Sequence, residues 1–236
     1  MSVALLPHTA SRSANDREDE NFLLDDGLMS LDDVRHEQAN REWQVEEIRD
    51  LTALTELRTT WNRLAAQTPN ASHFLTFDWL RTYWEHNAAD QELRVLAVGT
   101  REQGNSQKRK AVQTDSSTVI GIVPLVLRWE PTRLGRVRVM TFPLHGWGTQ
   151  YGPLGSCSDL TMFHALRHIA RSRREFDLLD LRWINNAGGL GDLTAAALRA
   201  NGLGDRKQLW FETATVDLRD GWEAYWAGRT SHWRTN

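Results

Sequence analysis

From Val45 onward the apolar positions Ile48, Leu51, Leu54, Leu57, Trp61 and Leu64 recur at steps of three and four. That spacing predicts a helical stripe facing a core, with the folded part of the chain beginning near Trp43. Pro69 has no amide hydrogen and restricts Thr68, so the helix should stop before it. A second helix is expected over Phe77 to Asn87, capped by Thr76, with Phe77, Leu80, Tyr83 and Trp84 on its apolar side. The pattern then turns to strands. Leu93 to Val98 is rich in β-formers, and Val119 to Trp129 is a near-continuous apolar run of the kind that is covered on both faces. Gly121 and Pro124 inside that run fit a bulge or an edge departure, because Pro124 cannot donate to a ladder. Between the two runs, Gly104 to Thr114 is polar and reads as a loop.

Further strands are expected at Arg136 to Phe142, Phe176 to Trp183 and Leu209 to Val216. A helix should cover Asp159 to Ser172, capped by Ser158, with Leu160, Phe163, Leu166 and Ile169 inward. Another should cover Gly191 to Ala200 and end at Asn201–Gly202, where a left-handed residue closes a helix. Strands alternating with helices indicate a mixed α/β domain.

Composition narrows the class. The chain has 236 residues, 40% apolar and 25% charged, which suits one good core with extensions. A net charge of -3 gives no support to a nucleic-acid partner. The single Cys157 excludes an intrachain disulfide framework and a multi-cysteine zinc site. No apolar run reaches the ~18 residues of a membrane span, and no conventional signal peptide opens the chain, so a cytoplasmic location is expected. Charge is segregated: residues 1–60 hold 14 acidic and 6 basic side chains, residues 120–236 hold 11 and 15. Residues 1–40 read as an acidic, weakly ordered leader, 41–219 as the α/β domain, and 220–236 as a helical segment. There are 25 Arg against 3 Lys, a bias that suits planar, anion-facing contacts and equally reflects genomic composition.

The order of elements, with the string Val119–Ile120–Gly121–Ile122–Val123–Pro124–Leu125, the turn Gly146–Trp147–Gly148–Thr149–Gln150–Tyr151–Gly152–Pro153–Leu154 and the strand Asp177 to Trp183, resembles a known family. It is similar to the N-terminal half of the BioF2-like, CelD-like acyltransferases, which belong to the GNAT superfamily and are related to Fem-type aminoacyl-ligases. The resemblance covers roughly residues 43–236. It implies a GNAT-like mixed sheet flanked by helices, and acyl-CoA as cosubstrate of the full-length family, held mainly in a second domain. Residues 220–236 resemble the lead-in to that domain, so the chain reads as truncated or as a single-domain relative. By resemblance, the acceptor-substrate cleft would be lined by His145, Trp147, Tyr151, Asp180, Arg182 and Trp183. Aromatic faces and an arginine fork there suit a sugar or a phosphorylated acceptor.

The glycines that hold a pyrophosphate in the superfamily are not matched. Arg133–Leu134–Gly135–Arg136 has one glycine and precedes a strand, and Gly146–Trp147–Gly148 runs into Pro153. Tight acyl-CoA binding by this chain is therefore not expected, and the alternative is a non-catalytic domain with a structural or partner-binding role. His145 suits a base or substrate contact as well as a loop histidine bonded to backbone. His164 and His168 have metal-ligand spacing on one helix, but without a third ligand they read as a solvated helix edge, and no metal is expected. Asp177 and Asp180 read first as closing the sheet rim. Arg167, Arg171, Arg173 and Arg174 complement a helix C-terminus and equally suit a phosphate or peripheral contact with an anionic membrane. Trp222, Tyr225, Trp226 and Trp233 would form an aromatic face for a homo-oligomer or a second GNAT-like domain.

Overall fold

A computed structural model describes residues 42–101, 119–133, 135–143, 148, 150–186, 188–210, 212, 216, 218–230 and 232–233. The elements run β1 (Glu42–Ile48), α1 (Leu51–Glu56), α2 (Arg58–Gln67), α3 (Phe77–Asn87), β2 (Gln91–Leu93), β3 (Val95–Arg101), β4 (Val119–Val123) and β5 (Val126–Thr132). They continue with β6 (Gly135–Thr141), α4 (Ser158–Arg171), β7 (Leu178–Asp180), α5 (Leu190–Ala200) and α6 (Trp222–Ala227). The fold is mixed α/β, as the alternation predicts. The acidic leader and the loop from Gly104 to Thr114 lie outside the described residues.

The first stripe is a strand before it is a helix. In β1, Trp43 and Val45 pack against buried residues, and Gln44 between them is exposed. Asp50 then ends the strand and caps α1, its carboxylate accepting from Ala53 N at 2.8 Å. The single long helix expected here is corrected to β1, α1 and α2, with a turn at Leu57. The next helix matches its expected bounds: Thr76 caps α3, with Phe77, Leu80 and Tyr83 buried.

One antiparallel strand pair organises the sheets. Glu92↔Leu127 and Leu93↔Val126 keep the same register as Leu96↔Val123, Ala97↔Ile122 and Val98↔Gly121. The ladder lapses around Arg94, Pro124 and Leu125, where Arg94 N–H still donates to Leu125 C=O at 2.9 Å. A three-stranded sheet β1-β3-β4 and a four-stranded sheet β2-β5-β6-β7 therefore share two long strands. Each of the long runs read from sequence is thus divided in two. The irregularity expected at Gly121 appears beside it: Val98 stands opposite Gly121 but Gly99 opposite Val119, so Ile120 of β4 is the extra residue. Among the described strands β7 alone runs parallel to its neighbour, Thr141 standing opposite Asp180.

Alternation carries the core to both faces. Val95, Ala97, Ile122 and Val126 pack under α1, α2 and α3 with Leu54, Trp61, Leu64, Phe77 and Leu80. Leu96, Val98, Val123, Leu125 and Leu127 pack under α4 and α5 with Met162, Leu166, Ile169 and Leu198. The close approach of α4 depends on Gly121, where a Cβ would stand 2.0 Å from Thr161 Oγ1. Cys157 takes the N-cap position of α4, without a side-chain capping bond, in place of the expected Ser158.

Two expected strands are shortened or not formed. The run from Phe176 to Trp183 is strand only over β7, because the chain turns at Arg182 and Trp183, the latter at φ 60°. Of the run from Leu209 to Val216, the described residues are not strand, and Leu209, Trp210 and Val216 are exposed. A β-like pattern makes a strand only where an edge accepts it, and no described strand pairs with this one. α5 and its closing Gly202, at φ 72°, match the reading.

Candidate functional site

The chain leaves β6 at Thr141 and β7 at Asp180, the C-terminal ends of the two parallel strands. In open α/β sheets such ends are where ligands settle. Between them returns the stretch from Tyr151 to Gly155. Ile122 and Leu154 exchange hydrogen bonds of 3.1 and 2.7 Å, and Tyr151 N donates to Trp183 C=O at 3.0 Å. This stretch occupies the edge of β4 that β6 does not reach. It is pinned by Gly155, at φ 119°, whose N–H donates to Thr68 Oγ1 at 2.8 Å. A Cβ on Gly155 would stand 2.4 Å from the Ile120 carbonyl oxygen, so the backbone contact requires glycine.

The sequence-derived residues divide into two groups. Tyr151 is buried, its ring stacked on Phe142 at 5.9 Å and on Trp183 at 6.3 Å. It builds the wall of the site from inside, and a Cβ on Gly148 would meet its hydroxyl at 1.9 Å. Trp183 is half-buried and reaches the surface side of that stack. Asp180 and Arg182 form an ion pair, Arg182 Nε donating to Asp180 Oδ2 at 2.5 Å. His145 and Trp147 lie outside the described residues.

Sequence reading missed the partners that complete this pair. Arg182 Nη2 donates to Glu130 Oε2 at 2.7 Å, and Arg128 Nε donates to Glu130 Oε1 at 2.9 Å. Asp180, Arg182, Glu130 and Arg128 thus make a charge ladder from β7 to β5. Beside it Tyr83 Oη donates to Gln91 Oε1 at 2.8 Å, and Gln91, Arg128, Glu130 and Arg182 border one open depression. Burial acts to raise the Glu130 carboxyl, but hydrogen bonds from Arg128 and Arg182 outweigh it and hold the group below its ordinary value. Burial likewise acts against the charge on Arg182, and Asp180 and Glu130 reverse that effect. Burial raises the Tyr83 phenol. The arginine fork is therefore committed to two carboxylates rather than presented to an anion. Opposite Asp180, the fully buried Thr141 hydroxyl has no hydrogen-bond partner among the described residues.

A second charge cluster, on the α4 face, was also missed. Arg94 is 4% exposed. Its Nη1 donates to Glu47 at 2.7 Å, and its Nη2 to Glu92 at 3.0 Å and to Glu175. His168 Nε2, 3.7 Å from Glu47, together with Arg94 and Arg49, holds Glu47 down to about 2 against the opposing effect of burial. The cluster ties β1 and β2 to the connection before β7, a structural role. Its one local signal is an arginine inside an apolar strand run.

The histidine pair on α4 is not a solvated edge. β1 lies over it: His164 is 3% exposed and stacks on Trp43 at 4.2 Å. Burial, and then the charge of Arg167, push His164 down to about 4. Among the described residues no group of three or more His, Cys, Asp or Glu could hold a metal ion. No described helix is long and apolar enough to cross a membrane. No family model matches this chain, no curated protein matches it, and no solved structure matches it.

Proposed function

We propose that this chain is the acceptor-side domain of a GNAT-superfamily N-acyltransferase of the BioF2-like, CelD-like kind, which transfers an acyl group from acyl-CoA to an acceptor. The observation that carries the reading is the charge ladder from Asp180 to Arg128, set beside the Tyr151–Trp183 stack at the C-terminal ends of β6 and β7. Support also comes from the order of elements behind the resemblance. Two helical stretches, two long antiparallel strands, a third strand, a helix and a parallel strand follow one another in a mixed fold.

The chemistry of the ladder narrows the acceptor class. With Arg182 engaged, the partly exposed Glu130 is the carboxylate at the depression, the buried Asp180 holds Arg182 in place, and Trp183 offers an apolar face. That combination suits an amine or a polyhydroxyl compound, an amino sugar having both. The Gly155 amide just ahead of α4 is already bonded to Thr68 and is not open to an acyl-CoA pyrophosphate. The cosubstrate would accordingly be held by another domain.

Calorimetry and amide-shift mapping with glucosamine, UDP-N-acetylglucosamine and acetyl-CoA test the proposal. A sugar probe should shift Trp183 and its neighbours, with the shift lost in Asp180→Asn, while acetyl-CoA gives no stoichiometric binding. Micromolar acetyl-CoA binding abolished by Gly155→Pro, or no response to either sugar from a folded chain, would refute it. One observation favours the alternative, a partner-binding domain without catalysis. Trp222 stacks on Trp226 at 5.4 Å and Trp233 meets Tyr225 edge-on at 6.0 Å, and none of these rings joins either core cluster.

A further inference from the structure

The depression at the candidate site has one polar border that the charge ladder does not use. Gln91 opens β2 directly opposite Arg128 of β5, so the two side chains share a face of the sheet and border the depression together. The side-chain amide of Gln91 has two ends of opposite character, an oxygen that accepts and an NH2 that donates. Which end looks outward is fixed from behind. Tyr83 of α3, 5% exposed, stands there with its hydroxyl 2.8 Å from Gln91 Oε1. The Arg128 guanidinium also reaches the phenol oxygen, and a guanidinium only donates. Tyr83 therefore accepts from Arg128 and gives its single proton to Gln91. Burial keeps that proton on the phenol by raising it above its ordinary value, against the effects of Gln91 and Arg128. Were the Gln91 amide turned over, its NH2 would meet the hydroxyl as a second donor beside Arg128, and a buried O–H would be left without an acceptor.

We propose that Gln91 is a specificity-determining residue of this site, donating from Nε2 to a carbonyl oxygen of the acceptor, and that Tyr83 is the residue that positions it. Gln91 Nε2 bonds to no described residue, so its protons are left for a ligand. The group that suits a fixed donor is one that only accepts. A carbonyl oxygen takes the bond, whereas an ammonium, itself only a donor, leaves two donors facing each other. Glu130 in the same depression has the opposite character, being a carboxylate held in its charged form. The two borders therefore divide the acceptor between them, its amine toward Glu130 and a carbonyl group, such as that of an N-acyl substituent, toward Gln91. This inference rests on the reading of the depression as an acceptor site, and it adds a carbonyl group to the amine of that reading.

Amide-shift titrations of the full chain with N-acetylglucosamine and with glucosamine test it. The two share a ring, and at about pH 6 one carries a carbonyl where the other carries an ammonium. The parent should bind N-acetylglucosamine about tenfold more tightly than glucosamine. Gln91→Glu keeps the shape but replaces the donor by an acceptor, so the preference should reverse. Tyr83→Phe keeps the buried ring and removes only the proton that orients the amide, so the two affinities should come within about twofold of each other. A merely structural role for Tyr83 would weaken both sugars alike and leave their ratio unchanged. A parent without the preference, or a ratio unchanged in either variant, would overturn the assignment of Gln91 and Tyr83. The acceptor-site reading would survive that result as long as sugar shifts at Trp183 still depend on Asp180. No response to either sugar would overturn both.

Discussion

Acidification from pH 7 to pH 5 should weaken the fold through one side chain, His164. The imidazole is neutral in the folded state, at 3% exposure between Trp43 and the body of α4, and its pKa is pushed from 6.5 down to about 4 by burial first and by Arg167 second. The unfolded chain takes up this proton near pH 6.5 and the folded chain does not. Stability contributed by the neutral ring is therefore full above about pH 6.5, is lost as pH falls from there to about 4, and levels off below. The shift caps the loss at about 3 kcal/mol, with about 2 kcal/mol gone by about pH 5. Glu47 does not obscure this, because its own window runs downward from 4.5 to about 2. Urea unfolding of the parent and of His164→Phe, which keeps a ring on Trp43 but cannot titrate, isolates the effect, since the other histidines are common to both. The parent should lose about 2 kcal/mol more than the variant between about pH 7 and pH 5. Equal pH slopes in the two proteins, or an NMR titration placing the His164 ring above pH 6, would refute the reasoning.

Gly121→Ala should cost about 1–3 kcal/mol by forcing α4 off β4, read as a lower urea midpoint; an unchanged midpoint would mean that Thr161 yields freely. Arg94→Met leaves Glu47, Glu92 and Glu175 crowded without their shared cation and should destabilise by about 3–5 kcal/mol at neutral pH. Glu47 is held low, so its share of stability is present above about pH 4.5 and lost as pH falls toward 2; the gap between parent and Arg94→Met should narrow over that range, and a constant gap from about pH 4.5 to 2 would contradict the network. The half-exposed Trp222 and Trp233 should drive self-association that Trp226→Asp relieves, checked by sedimentation over a concentration series.

Local chemistry was legible and distant company was not. α3 begins where expected because Thr76 caps it, and α2 stops where expected because Pro69 follows it, each acting within a turn of itself. β1 was hidden because the two-residue step from Trp43 to Val45 sits at the head of a run of threes and fours, although Asp50 marks where strand gives way to helix. His164 looked solvated because α4 alone gives it an edge position; its burial comes from β1, more than a hundred residues earlier. The candidate site shows the same division. Asp180 and Arg182 are two apart and could be read together, whereas Glu130 and Arg128 reach them only across the width of the sheet. Arg94 gathers Glu47, Glu92 and Glu175 from three segments, a meeting that no spacing announces. The run at Leu209 failed in the opposite sense, with a sound local pattern and no described edge to receive it.

Pro124 settles how one strand serves two different neighbours. Ile122 directs its N–H and C=O away from β3, toward Leu154, and alternation points the backbone of residue 124 to that same edge. Two residues later the neighbour is Thr141 of β6. Any residue but proline would present a buried N–H in the crotch between the two partners, at a cost of about 1–3 kcal/mol for a stranded donor. Proline has no such group to strand. The branch in the sheet is therefore a fixed joint rather than a seam that frays and heals, because the residue at the branch has no amide with which to zip it shut.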